Sequence, residues 1–107
     1  MSKVVLDAFG GDHAPSECIA GAALALQKGF VQPDQLVLTG PRDAVLAALQ
    51  AQKVSAAGIT VVDAPDVLAD TDTPTDAMKK KPRNSIALGI QELKEGRAGA
   101  FVSAGST

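Results

Sequence analysis

Apolar and polar positions switch between two periods along the chain. Lys3 to Ala8 (Lys-Val-Val-Leu-Asp-Ala) is β-branched and continuous rather than alternating, the pattern of a strand buried on both faces. From Ser16 to Lys28 the period lengthens. Ile19, Ala23 and Leu26 fall at i, i+4 and i+7, which predicts a helix with one apolar stripe, stopped at Gly29. Leu36-Val37-Leu38-Thr39 reads as a second buried strand. Gly40-Pro41 opens a second helix, with proline at the first helical position, where its missing N–H does no harm, and with Val45, Leu46 and Leu49 facing inward.

Ile59 to Asp63 is a third strand, and a polar stretch from Ala64 to Pro74 follows it with a Thr/Asp run able to cap helices. A short helix through Ala77, Met78 and Lys79 should stop before Pro82. Ser85 to Glu95 carries Ile86, Ile90 and Leu93 at i, i+4 and i+7 and ends at Gly96; Gly99 to Ser103 is a fourth strand. Strands separated by helices pair in parallel through right-handed crossovers. The expected fold class is α/β: a three-layer open, mostly parallel sheet with helices on both faces. The last residues, Ser103-Ala104-Gly105-Ser106-Thr107, have the character of a turn leaving a strand to enter a helix. A buried strand without that helix leaves apolar sheet surface uncovered, so the chain is expected to be the front part of a longer protein.

Composition narrows the choices. The 107 residues are 46% hydrophobic but only 3% aromatic, all Phe, so the core must be aliphatic. Twelve acidic against ten basic residues leave a net charge of −2, and no chain-wide positive field exists to hold nucleic acid. Cys18 is the single cysteine, which excludes an intrachain disulfide and a cysteine-cluster metal site and fits a reducing compartment. It lies beside the apolar stripe of the first helix and is expected to be an inert core thiol. The apolar run after Met1-Ser2-Lys3 is too short for a signal peptide, and no stretch approaches the length of a bilayer span. A cytoplasmic location follows as the expectation.

In an open parallel sheet, ligands gather at the carboxyl ends of the strands, where loops and helix N-termini converge. Four loops qualify: Asp7 to His13, Thr39 to Arg42, Asp63 to Asp72 and Ser103 to Thr107. In the first, Gly10 and Gly11 let backbone N–H groups approach an anion, while Asp7 and Asp12 can orient water, a cation or a base. A tight turn with Asp12 as a helix cap reads the same residues equally well. Neither a dinucleotide fingerprint nor a phosphate-binding P-loop spacing is present. The last loop offers hydroxyls and amides suited to a phosphate oxygen, and the same residues are also plain caps.

Lys79-Lys80-Lys81-Pro82-Arg83 puts four cations just ahead of a helix starting at Asn84-Ser85. There they oppose the helix dipole, which points to an anionic partner, against the alternative of a solvated charged face. No aromatic residue lies beside the run to stack bases. Asp63, Asp66, Asp70, Asp72 and Asp76 lack the spacing of a calcium loop, so capping and solubility are their expected roles. His13, the only histidine, can carry a proton near the glycine loop or simply pack.

Three blocks together are more specific than any one loop: Val4 to Pro15 with Asp7-Ala8-Phe9-Gly10-Gly11-Asp12, Lys79 to Ser85, and Gly96 to Thr107 with Ser103-Ala104-Gly105-Ser106-Thr107. In order and spacing they resemble the bacterial phosphate acyltransferase family, PlsX, of phospholipid synthesis. Asn84 stands where that family commonly has Ser, and Ser106 where Asn is common; both keep a hydrogen-bonding side chain and blur individual roles only. The resemblance implies a fold similar to the isocitrate and isopropylmalate dehydrogenases and phosphotransacetylases, with residues 1–107 the N-terminal part of a single larger α/β catalytic domain. It implies transfer of a fatty acyl group from acyl carrier protein to inorganic phosphate, without cofactor or metal. It also implies a homodimer and peripheral contact with the inner face of the cytoplasmic membrane, through a segment not evident in these residues.

Carried onto this chain, Asp12 and His13 become the candidate catalytic residues, for orientation or proton handling. Gly10, Gly11, Lys81, Arg83, Ser85, Ser103, Gly105, Ser106 and Thr107 become candidates for holding phosphate and the reacting carbonyl, and Lys79 and Lys80 for steering the acidic carrier protein. These residues alone are expected to be inactive. Two rivals stand beside this reading: a non-catalytic α/β binding module, and a dehydrogenase-like enzyme, against which the missing dinucleotide fingerprint counts.

Overall fold

A computed structural model describes residues 3–9, 15–67, 73, 75 and 79–103. Its strands are β1 (Val4–Asp7), β2 (Leu36–Gly40), β3 (Thr60–Asp63) and β4 (Ala100–Val102); its helices are α1 (Ser16–Gln27), α2 (Arg42–Ala51) and α3 (Ser85–Lys94). A 3-10 turn at Pro33–Gln35 leads into β2. The short helix expected through Ala77, Met78 and Lys79 falls largely outside the described residues.

The four strands form one sheet in the order β3-β2-β1-β4, every pair parallel. The expected mostly parallel sheet is thus parallel throughout these strands. Val4 sits between Leu36 and Ala100, and Val37 opposite Thr60. β2 is buried along its whole length, whereas the edge strand β3 is only half-buried.

Alternation along β2 divides the core. Leu36 and Leu38 join Ala8, Ile19 and Ala22, and Val45 and Leu49 of α2, in one cluster. Val37 and Thr39 point the other way, where the Thr39 hydroxyl donates to the Ser85 carbonyl (3.0 Å) at the start of α3. α3 packs on β1, β2 and β4, while α1 and α2 pack on one another and α2 on β2 and β3. Chain direction explains this. The steps β1 to β2 and β2 to β3 move one way across the sheet, and the return from β3 to β4 crosses back over the opposite face if every crossover is right-handed.

Helices α1, α2 and α3 end in the same motif. Gly29 donates to Leu26 O and Phe30 to Ala25 O; Gly96 donates to Leu93 O and Arg97 to Glu92 O. Both glycines have φ +76°, the left-handed geometry this stop requires. The predicted stops at Gly29 and Gly96 therefore stand. α2 closes identically through Lys53, a non-glycine at φ +58°, with its N–H on Gln50 O and that of Val54 on Leu49 O.

Three expectations need correction. Pro41 is the N-cap of α2 and not its first helical residue, because Gly40 still belongs to β2. Leu46 is 37% exposed, since α2 turns only Val45 and Leu49 fully onto the sheet. In α3 the buried face is Ser85, Gly89 and Glu92, and Ile90 of the expected apolar stripe is 39% exposed.

The ring of Phe101 on β4 accounts for the last of these: a Cβ placed on Gly89 would stand 2.8 Å from Phe101 Cδ1. Only a residue without a side chain lets α3 approach there. Glu92 is tolerated in the same face because Arg97 Nε donates to its carboxylate, a bond that also holds the Arg97 guanidinium above its ordinary pKa. Gly89→Ala is accordingly expected to destabilise. The gain of about 1 kcal/mol in helix propensity is outweighed by overpacking of about 1–3 kcal/mol. Gly21→Ala in α1, where nothing lies within 4 Å, should instead stabilise by about 0.5–1 kcal/mol. Urea midpoints moving the same way for both variants would contradict this packing.

Candidate functional site

Because the sheet is parallel, the carboxyl ends of β1 to β4 lie on one rim, with Asp7 opposite Thr39, Gly40 opposite Asp63 and Leu6 opposite Val102. The ladders run one residue past the strands, with Ala8 N donating to Thr39 O (2.9 Å) and Ala64 N to Gly40 O (2.8 Å). The roots of the four sequence-predicted loops are therefore side by side.

Side chains tie these roots together in pairs. Asp7, 1% exposed, accepts from Phe9 N–H at Oδ1 (2.9 Å) and from the Ser103 hydroxyl at Oδ2 (2.7 Å). This joins the start of the first loop to the start of the last. Asp63 Oδ1 accepts from Arg42 N–H (2.9 Å), capping α2 from the neighbouring strand, and Arg42 Nη2 donates to Val61 O (3.0 Å). Asp66 Oδ2 accepts from Arg83 N–H (2.9 Å), and Asp66 N–H donates to Arg83 O (3.2 Å). Asn84 is the N-cap of α3: its Oδ1 accepts from Ala87 N–H (2.8 Å) and its Nδ2 donates to Lys81 O (2.7 Å). The capping role expected for the acidic stretch holds at Asp63 and, beside the start of α3, at Asp66.

The sequence-predicted residues divide as follows. Ser103 is in the rim, bonded to Asp7. Ser85 is buried at the start of α3, its carbonyl taken by Thr39. Lys81 Nζ donates to Val67 O (2.8 Å), and the Arg83 backbone is held by Asp66, so the basic run lies along the segment after β3. Lys79 and Lys80 are exposed. The Asp66 carboxylate lies at the same helix start as these cations and offsets part of their unfavourable interaction with the dipole. Gly10, Gly11, Asp12, His13, Gly105, Ser106 and Thr107 lie outside the described residues. Thr39 and the pairing of Asp7 were not picked out from sequence. The one available signal was an Asp ending a buried strand, and its partner is 96 positions away.

Cys18 is half-buried and not in a disulfide. Among the described residues, no group of three or more His, Cys, Asp or Glu side chains is placed to hold a metal ion. No helix among them is long and apolar enough to cross a membrane.

An open parallel α/β sheet with its strand ends tied together along one rim is the class of fold in which ligands gather at that rim. Comparison with known proteins narrows the class: the chain matches the model of the fatty acid synthesis protein family over residues 2–107 and belongs to that family. It is 39% identical over 103 residues to a phosphate acyltransferase of Herpetosiphon aurantiacus, covering 96% of this chain and 27% of that protein. It is 41% identical over 107 residues to one from Desulforamulus reducens, and 40% over 106 residues to one from Heliobacterium modesticaldum, covering 100% and 98% of this chain and 31% of each relative. The chain thus spans less than a third of the length of these relatives.

Proposed function

We propose that the full-length protein carrying this chain transfers a fatty acyl group from acyl carrier protein to inorganic phosphate, within a larger domain of the isocitrate dehydrogenase-like fold. The names of the relatives support the reaction. The structural observation that supports the site is the Ser103–Asp7 bond, which brings the roots of two glycine-containing loops to one rim.

Chemically, a phosphate oxygen attacks the thioester carbonyl. A C–O bond forms, the C–S bond breaks, and the carrier leaves as a thiolate. Because the leaving group is good, no covalent nucleophile is needed. The demanding tasks are holding a phosphate dianion beside the carbonyl and stabilising the oxyanion of the tetrahedral intermediate. In this reading the amides of Gly10, Gly11, Gly105, Ser106 and Thr107 are the donors, and Asp12 and His13 orient the phosphate or move its proton. Lys81 and Arg83, on the segment clamped by Asp66, supply positive charge for phosphate, with Ser85 at the helix start behind them. Homodimer formation, location at the inner face of the membrane and independence of cofactors belong to the same reading.

Acyl-phosphate formation from acyl carrier protein thioester and phosphate by the full-length protein tests it. Product dependent on both substrates is expected. Thioester left intact in the presence of phosphate would end the proposal.

Lys79 and Lys80 are the steering residues. Lys79→Glu/Lys80→Glu should raise the KM for acyl carrier protein by about tenfold at low salt, flatten its salt dependence and leave kcat within about twofold. A KM that is unchanged across the salt range would remove the steering role.

A further inference from the structure

We infer that Asp7 is a positioning residue for phosphate, acting through Ser103, and that Ser103 gives its hydroxyl proton to Asp7 instead of to the substrate. This inference deepens the function proposed above and rests on it. Its basis is the bonding at the rim. A serine hydroxyl has one proton, and an ionised carboxylate only accepts. At 2.7 Å from Asp7 Oδ2, the Ser103 hydroxyl is committed as the donor.

The other oxygen of the same carboxylate takes the N–H of Phe9, the residue before Gly10. One buried side chain therefore holds the exit of β1 and the exit of β4 at a fixed separation, where sheet pairing alone ends at Leu6 opposite Val102. Burial makes the arrangement stiff: a carboxylate that is 1% exposed has little water to take over either bond if it breaks. Both carboxylate oxygens accept donors from the loop roots, and through these two bonds Asp7 fixes the geometry of the rim.

The test compares Ser103→Ala, Asp7→Asn, their double variant and Ser103→Thr in the full-length protein. Asn fills the volume of Asp and can still accept from Phe9 N–H, but its amide nitrogen cannot accept the Ser103 proton. Ser103→Ala should raise the KM for phosphate about tenfold, with kcat within about threefold and the KM for acyl carrier protein unchanged. Ser103→Thr, which keeps the hydroxyl, should return the phosphate KM to within about twofold of wild type. The double variant should be no worse than Asp7→Asn alone.

Multiplying effects in the double variant would overturn the inference, because Ser103 would then act on phosphate independently of Asp7. A fall in kcat and melting temperature without a change in phosphate KM would overturn it too, marking a merely structural bond. Amide hydrogen exchange gives a readout that does not depend on activity: Ser103→Ala should speed exchange at Phe9 by about tenfold or more, despite the distance in sequence. Unchanged protection at Phe9 would mean that no tie exists. If the wild-type protein forms no acyl phosphate, the functional reading fails by itself, and the exchange comparison still decides the tie.

Discussion

Replacing Gly11 with valine in the full-length protein is expected to lower kcat for acyl-phosphate formation by about 10²–10³-fold, the loss seen when one preorganised donor to an oxyanion is removed. The argument is steric and electrostatic together. An amide N–H can reach a bound anion or a developing oxyanion only if no side chain intervenes, and a β-branched residue beside it fills that approach. The fold should survive, because the core among the described residues is built from Ile19, Leu38, Val45, Leu49 and their neighbours. The decisive combination is an unchanged circular dichroism spectrum and melting temperature with the rate collapsed. Full activity in Gly11→Val would exclude close backbone approach at that loop and, with it, the proposed wall of the site.

The largest effect on stability is expected from Leu38→Ala, at about 2–5 kcal/mol. Leu38 is fully buried in β2, one of the sheet's two inner strands, with β1 on one side and β3 on the other, and belongs to the cluster formed with α1 and α2. Secondary structure on every side prevents the site from collapsing into the vacated space. Leu46→Ala is the matched control. Its side chain is the same size and its place in the helical period looks equally inward, yet it is partly exposed and should cost about 1 kcal/mol or less. Urea midpoints separate the two, and equal shifts would contradict the packing described.

Much of the framework was legible in the chain because its signals are local. The β-branched run at Val4 and Val5, the apolar block Leu36-Val37-Leu38, and the glycines at 29 and 96 each act within a few residues, so the structure has strands and helix stops where they indicate. The parallel sheet followed from element order and the handedness of crossovers. Where period alone was used to assign a buried face in α3, it held only in part: Ile86 and Leu93 are half-buried, but Ile90 is exposed. Ile86, Ile90 and Leu93 form a regular stripe, but the face against the sheet is chosen by the contact of Gly89 with Phe101 and by the Arg97 partner of Glu92. Likewise, a left-handed Lys53 carries no sequence mark, because its conformation is imposed by the way α2 closes.

The candidate site divides in the same way. The sequence by itself marked which loops are candidates for the chemistry, since glycines, hydroxyls and cations bunch after strand-like segments, and it pointed to the family that the match over residues 2–107 shows. Only the tertiary structure decided who holds whom. Asp7 meets Ser103, Asp63 caps α2, Asp66 clamps the backbone at Arg83, and Thr39 bonds the start of α3. The physical reason is range. Backbone preference and hydrophobic period act over one or two turns of chain, whereas a buried carboxylate is satisfied by whichever donor the sheet delivers to it, and strand order, not sequence distance, delivers that donor.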